Sequence, residues 1–208
     1  MYIYIIRHGE TDMNVKGVLQ GVLDEPLNQA GRDLAAITAQ AMGEIHFDEC
    51  FSSPLVRAKE TAEIVLKETG NDIPVQIDER IQEMNFGEAE GNKLKGTGED
   101  ARLFMFDSFN FPGFPGGEDF HELCARTQDF LKELIARDDD KTYLIATHGC
   151  ALRAMLNFLY EDPSSFWQKN VPYNCCVNII EVKDGEAKLI AEDKIYYPDD
   201  MIMDRYKS

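Results

Sequence analysis

A chain of 208 residues, 44% of them hydrophobic, is long enough to bury a full core and too apolar for global disorder. Its net charge of −17 argues against nucleic acid and anionic membrane as partners, because both select basic patches. No run approaches the apolar length that spans a bilayer, no secretory leader pattern opens the chain, and its five cysteines include no CxxC pair; together these point to a cytoplasmic protein with mostly buried, reduced thiols.

Tyr2 to Ile6 is a short apolar run that predicts a buried strand ending in Arg7-His8-Gly9-Glu10. A polar, glycine-containing loop follows from His8 to Pro26. Asn28 is then placed to cap a helix running to about Met42. Phe47 to Ser52 predicts a second strand, and Ser53-Pro54 predicts a helix start, with a capping side chain before a proline at the first helical position. Leu55, Ala58, Ala62, Val65 and Leu66 recur at helical spacing behind it. Pro74 to Asp78 predicts a third, short strand, and residues 79–98 a charged, glycine-rich loop region. Phe104, Phe106, Phe109, Phe111 and Phe114 crowd a segment closed by Pro112, Pro115, Gly116 and Gly117, which predicts a helical cap whose rings pack on the body, with one or two left to touch a ligand.

Helical spacing returns from Asp119 to Ala136. Lys141 to Thr147 predicts a strand that leads into His148-Gly149 and a helix over 150–160. Val177–Val182 and Ala187–Glu192 flank Asp184-Gly185, a hairpin signal. Cys175 and Cys176, as neighbours on a strand, would point to opposite faces. Strands alternating with helices predict a three-layer α/β/α sandwich: a mainly parallel sheet with helices on both faces and a small cap insertion at about 92–119. The whole chain, 1–208, is expected to form one domain.

Three strand ends share a character. The first carries Arg7 and His8, the second Ser53 and then Arg57 in the first turn of its helix, the third His148 and Gly149 at a helix start. A parallel sheet brings such ends to one edge, where open α/β sheets bind ligands. Arginine forks suit phosphate and carboxylate, and helix N-termini present free N–H groups to an anion. The convergence predicts a phosphate site. It also answers the −17 charge, since only a local basic cluster overcomes a field that repels anions. Arg57 at a helix N-terminus opposes the dipole, so a merely structural role is disfavoured. A metal site is disfavoured too: no HxxxH, HxH or DxD spacing occurs, and arginines beside the histidines repel a cation.

These residues resemble the histidine phosphatase superfamily in its phosphoglycerate mutase-like branch. The resemblance rests on five ordered motifs: Arg7-His8-Gly9-Glu10-Thr11 with Asn14 and Gln20-Gly21; Ser52 to Ala58 with Thr61-Ala62; Glu83 to Gly87 with Glu90-Gly91; Pro115-Gly116-Gly117-Glu118; and Thr147-His148-Gly149. It implies that His8 accepts the phosphoryl group. Arg7, Arg57 and His148 would hold its oxygens, with Asn14 helping and Gln20, Gly21 and Gly149 completing the phosphate and substrate contacts. Glu83 would give a proton to the leaving alkoxide, although Glu10, Glu88 and Glu90 are near and only the family frame selects Glu83. No cofactor is implied.

The resemblance further suggests that mutases carry a longer insertion between the second and fourth motifs. Here only residues 92–114 separate Gly91 from the Pro-Gly-Gly segment, which favours hydrolysis of small phosphomonoesters, with a small phosphorylated metabolite as substrate. Phosphoglycerate mutase-type transfer and a non-catalytic phosphate-binding module are the alternatives. Asp119 stands where relatives often have serine; it can cap a helix, but a carboxylate near an anion would alter how this loop meets substrate. Lys93 and Lys95 are read as solvated loop lysines, Glu10 as a support residue, and His46 and His121 as surface or structural.

Overall fold

The computed structural model describes residues 1–94, 99–168 and 170–202. One mixed sheet of six strands runs in the order β3-β2-β4-β1-β5-β6. Its strands are β1 (Tyr2–Arg7), β2 (Glu49–Ser52), β3 (Val75–Ile77), β4 (Thr142–Thr147), β5 (Val177–Lys183) and β6 (Glu186–Lys194). β1, β4, β2 and β3 pair in parallel, whereas β5 joins β1 antiparallel and carries β6 as a hairpin. The hairpin turn has positive φ at both Asp184 (52°) and Gly185 (76°), the geometry that an Asp-Gly pair favours.

The helices are α1 (Asp12–Lys16), α2 (Gln29–Met42), α3 (Val56–Glu68), α4 (Glu99–Phe106), α5 (Phe120–Ile135) and α6 (Gly149–Leu156). Strand alternation sorts the core onto two faces. Ile3, Ile5, Tyr143 and Ile145 pack with Phe130, Leu131 and Leu134 of α5 and with Leu152 and Met155 of α6. Ile6, Leu144 and Ala146 face the other way, onto Leu34, Ala35 and Ala39 of α2 and Ala58, Ala62 and Val65 of α3. This is the expected three-layer arrangement. Cys175 and Cys176 do lie on opposite faces, but they precede β5, and Cys175 adopts a left-handed φ of 56°.

Four sequence expectations shift. The loop over 8–26 contains α1, whose one-turn helix is held by a reciprocal cap between Thr11 and Asn14, with Asn14 in the place usual for Glu or Gln. β2 begins at Glu49, because the Phe47 N–H leaves the ladder for Asn71 Oδ1 (2.9 Å). α3 begins at Val56 rather than at Pro54, because Leu55 stays extended (φ −70°, ψ 134°) and the Val56 N–H donates to Asp24 Oδ1 (2.7 Å). The last helix stops at Leu156 and tightens into a 3-10 turn over Asn157–Leu159.

A third cluster mounts the cap. Phe104, Phe111, Phe114, Phe120, Phe166 and Trp167 interlock with Phe86 and Met84 above α5 and α6. Successive ring pairs stand mostly edge to face, such as Phe111 on Phe114 with centroids 4.8 Å apart. Phe106 escapes this packing and is 84% exposed.

The Gly9-Glu10 segment lies directly against the start of α2. A Cβ on Gly31 would stand 2.1 Å from the Glu10 carbonyl oxygen, so only glycine allows that approach. Gly31→Ala is expected to lower unfolding free energy by about 1–3 kcal/mol, read from urea denaturation. An unchanged midpoint would contradict the contact.

Candidate active site

Strand register brings the predicted groups together. Arg7 pairs with Thr147 across β1 and β4, and Ser52 with Ala146 across β2 and β4. The residues that leave these strand ends therefore meet on one edge, and Arg7, His8, Arg57, Glu83 and His148 are all buried there. A pocket of about 280 Å³ opens among Arg7, His8, Asn14, Gln20, Gly21, Arg57, Glu83 and Gly149. His148 is set behind its surface, with its ring 5.1 Å from that of His8.

His8 is fixed in one ring state. Its Nδ1 lies 2.6 Å from the Gly9 carbonyl oxygen. A carbonyl only accepts, so Nδ1 carries the proton, and in the neutral ring Nε2 is the nitrogen with the lone pair. The backbone around the ring is clamped as well: His8 N donates to Thr147 O (2.9 Å), and Gly9 N donates to Thr61 Oγ1 (3.0 Å). Asn174 Nδ2 reaches the carbonyls of His8 (3.0 Å) and Gly9 (3.1 Å) and Asn14 Oδ1 (3.1 Å). Asn14 Oδ1 also accepts from Thr11 N (3.1 Å), which turns the Asn14 amide nitrogen into the group available to a ligand. Gln20 Oε1 accepts from Thr11 Oγ1 (3.0 Å).

Both arginines are braced by carbonyl oxygens. Arg57 Nη1 donates to Leu23 O (2.7 Å) and Nη2 to Gly21 O (2.8 Å). Arg7 Nη1 donates to Pro172 O. Burial lowers the Arg57 pKa to about 10, against the attraction of Glu83 and Asp24, so it remains a cation at neutral pH. Gly21 itself has φ +55°, and a Cβ there would overlap Glu90 Oε1. Glu90 holds this loop by accepting from Val22 N (2.9 Å) and Phe86 N (3.1 Å).

Glu83 faces the start of α6. Its Oε1 accepts from Met84 N (2.9 Å) and Ala151 N (3.0 Å), and its Oε2 from Cys150 N (3.3 Å). The more loosely held Oε2 is the oxygen better placed to exchange a proton with a ligand. Arg126 positions this loop by donating to the carbonyls of Arg80 (2.8 Å), Gln82 (2.8 Å) and Glu83 (3.0 Å) while pairing with Glu118 (2.6 Å).

His148 is held neutral: burial, reinforced by Arg57, His8, Arg7 and Arg126, keeps its pKa well below the usual histidine range. Ser53 Oγ accepts from Leu55 N (3.3 Å) and stands 2.7 Å from His148 Nε2. The serine proton needs an acceptor, and Nε2 provides it, which places the ring proton on Nδ1. That Nδ1 and Arg57 Nε have no hydrogen-bond partner among the described residues. A buried donor left in this way costs about 1–3 kcal/mol, a cost that a bound anion relieves. No group of three or more His, Cys, Asp or Glu side chains among the described residues is arranged to hold a metal ion.

This arrangement suits a tetrahedral oxyanion beside an imidazole nucleophile, and sequence comparison agrees. Residues 3–193 match the histidine phosphatase superfamily, branch 1. The chain belongs to the histidine phosphatase superfamily. It is 31% identical to the adenosylcobalamin/alpha-ribazole phosphatase of Salmonella typhimurium over 91% of this chain and 94% of that one. It is 32% identical to the 2,3-bisphosphoglycerate-dependent phosphoglycerate mutase of Cytophaga hutchinsonii over 76% of each. The structure of Bacillus stearothermophilus YhfR superposes with a TM-score of 0.84 at 29% identity, covering 93% of this chain and 97% of that one.

Other residues singled out in the sequence fall outside the pocket. Asp119 caps α5 through Glu122 N (2.8 Å) and is not among the described residues that line the pocket. Glu10 supports the fold by accepting from Asn28 Nδ2 (2.8 Å). His46 and His121 are exposed, as is Lys93, while Lys95 lies outside the described residues. Arg126 and Asn174 had no role in the sequence reading. A lone arginine within the apolar spacing of α5, and an asparagine just before a buried strand, were the only hints.

Nitrogen NMR of His148 at about pH 6.5, where an ordinary imidazole is half protonated, is expected to show a neutral ring protonated at Nδ1. Ser53→Ala should shift that tautomer. An imidazolium signal, or an Nε2-protonated ring in the unaltered protein, would contradict the geometry.

Proposed function

We propose that this enzyme is a phosphatase that hydrolyses small-molecule phosphomonoesters through a phosphohistidine on His8. The observation that carries the reading is the 2.6 Å contact from His8 Nδ1 to Gly9 O, which assigns the ring proton to Nδ1 and makes Nε2 the nucleophilic nitrogen of the neutral ring, in a pocket lined by two braced arginines. In the first step Nε2 attacks phosphorus, the P–O ester bond breaks, and Glu83 gives its proton to the departing oxygen. In the second, Glu83 takes a proton from water, the oxygen attacks phosphorus, and the P–N bond breaks to return His8 and free phosphate. Arg7, Arg57, Asn14 and the Nδ1–H of His148 hold the phosphoryl oxygens, with Gln20, Gly21 and Gly149 shaping the cradle. Positioning and charge supply most of the rate in such transfers.

Hydrolysis is preferred over mutase transfer because the stretch between Gly91 and Pro115 is short and a mutase must shelter its phosphohistidine from water. The reading needs no cofactor and takes a small phosphorylated metabolite as partner. Its setting is the reducing cytoplasm, supported by five free thiols, of which burial raises the pKa of Cys50, Cys124 and Cys175 to about 12. No helix among the described residues is long and apolar enough to cross a membrane.

His8→Ala is expected to lower kcat on a phosphomonoester by at least about 10³-fold without loss of folding, which also separates this reading from a binding module. Glu83→Gln should lower kcat by roughly 10²–10⁴-fold with little change in KM. Undiminished hydrolysis by His8→Ala would overturn the assignment, and transfer within phosphoglycerate without free phosphate would favour a mutase. Because the molecule carries −17, added salt should raise kcat/KM for an anionic ester or leave it unchanged; a steep fall would show that local attraction governs encounter.

A further inference from the structure

A second buried charge system stands apart from the pocket, and the reaction described above does not use it. Arg153 of α6 is fully buried. Its Nη2 donates to Asp193 Oδ2, and its Nη1 to Glu192 Oε1 (3.2 Å) and to the Tyr160 hydroxyl (3.0 Å). Burial by itself would lower its pKa, but Asp193 and Tyr160 outweigh that and raise it, so the guanidinium is charged. A buried ion pair is weak evidence of a stabilising role, because apolar residues of similar volume often hold a fold as well. The remaining contacts of the pair supply another role.

Arg153 Nη2 also donates to Asn170 O (3.0 Å). Two residues later, Pro172 O receives Arg7 Nη1. The chain between these carbonyls is stiff. Pro172 has a fixed φ, and Val171, β-branched and before a proline, is confined to extended backbone. Holding the Asn170 carbonyl therefore sets where the Pro172 carbonyl meets Arg7. Asp193 reaches the far end of the same segment, where its Oδ1 accepts from Cys176 Sγ (3.6 Å). There the segment binds the Arg7 main chain: Cys176 O accepts from Arg7 N (3.1 Å), and Cys175 N donates to Arg7 O (3.1 Å). One ion pair thus grips both ends of the segment that frames Arg7.

Asp193 stands where β6 slips register against β5, with a left-handed φ of 44°. Such irregularities re-aim a side chain that a regular strand would direct elsewhere. The turned backbone is held by Asp193 N donating to Asn178 Oδ1 (3.0 Å).

We propose that Arg153 and Asp193 are positioning residues for Arg7: their ion pair sets segment 170–176, and that segment holds the Arg7 fork at the phosphoryl site. What Arg7 then does with an anion rests on the reading above, whereas where Arg7 is held does not.

The test replaces the whole pair, Arg153→Met with Asp193→Asn, so that no buried charge is left unpaired and asparagine keeps the left-handed backbone. Arg57 is the internal control, because Leu23 and Gly21 brace it independently. Nitrogen NMR of the purified full chain is expected to show two resolved Nη signals for each of Arg7 and Arg57. In the double variant the Arg7 signals should merge while those of Arg57 stay resolved. The Kd for inorganic phosphate, from calorimetry, should rise about tenfold, the scale of one weakened hydrogen bond to a charged group. That rise should vanish when the pair is replaced in an Arg7→Met background. Should the double variant fail to fold, Arg153→Lys carries the same readouts, since lysine keeps the charge for Asp193 without the fork that also reaches Asn170. Arg7 signals that stay resolved, or Arg7 and Arg57 signals that merge together, would overturn the inference, as would an unchanged Kd. If the unaltered protein binds no phosphate yet the Arg7 signals alone merge, the phosphate reading fails and the positioning inference stands.

Discussion

The site depends first on the parallel pairing of β1 and β2 with the central strand β4. With Arg7 opposite Thr147 and Ser52 opposite Ala146, three chain segments leave the sheet at one height. A register slip of one residue would move every side chain of a strand to the other face. It would send Ile6 from the α2–α3 core into the α5–α6 core and separate His8 from Arg57. The buried alternation that specifies the fold therefore also specifies the site.

Upon that edge the protein builds positive charge against its own net field. Backbone carbonyls brace both arginines: Pro172 O takes Arg7 Nη1, and Leu23 O and Gly21 O take the two Nη of Arg57. The carboxylates nearby serve other donors. Asp24 caps α3, Glu90 holds the Gly21 loop, and Glu83 faces the start of α6. This division of labour lets a chain of charge −17 keep a small cationic cradle. The cradle is also prearranged, so little side-chain reorganisation is needed when the anion binds.

Much of this was legible in the sequence because it follows local rules. Asn28 caps α2 and Asp119 caps α5 where a side-chain oxygen precedes an apolar period, and Asp184-Gly185 turns the hairpin. Arg7, His8, Arg57 and His148 could be grouped because each sits at the end of a parallel strand. What escaped depends on partners distant in the chain. Asp24 moved the start of α3 from Pro54 to Val56, and no local pattern announces a cap donated from 32 residues away. Asn174 reaches His8 from a segment 166 residues distant, and Arg126 reaches Glu83 across 43. The tautomer of His148 was hidden for the same reason, since it depends on Ser53 across two strands. Such bonds become visible only when the sheet has assembled.

The central claim is that His8 Nε2 becomes covalently bonded to phosphorus. Rapid acid-free quenching during turnover of a phosphomonoester, followed by peptide mapping and phosphorus NMR, tests it most directly. The account predicts an acid-labile, base-stable phosphoryl group on the peptide containing His8, bonded at Nε2. A phosphoryl group on Nδ1 or on another residue, or turnover with no phosphoenzyme formed, would contradict it.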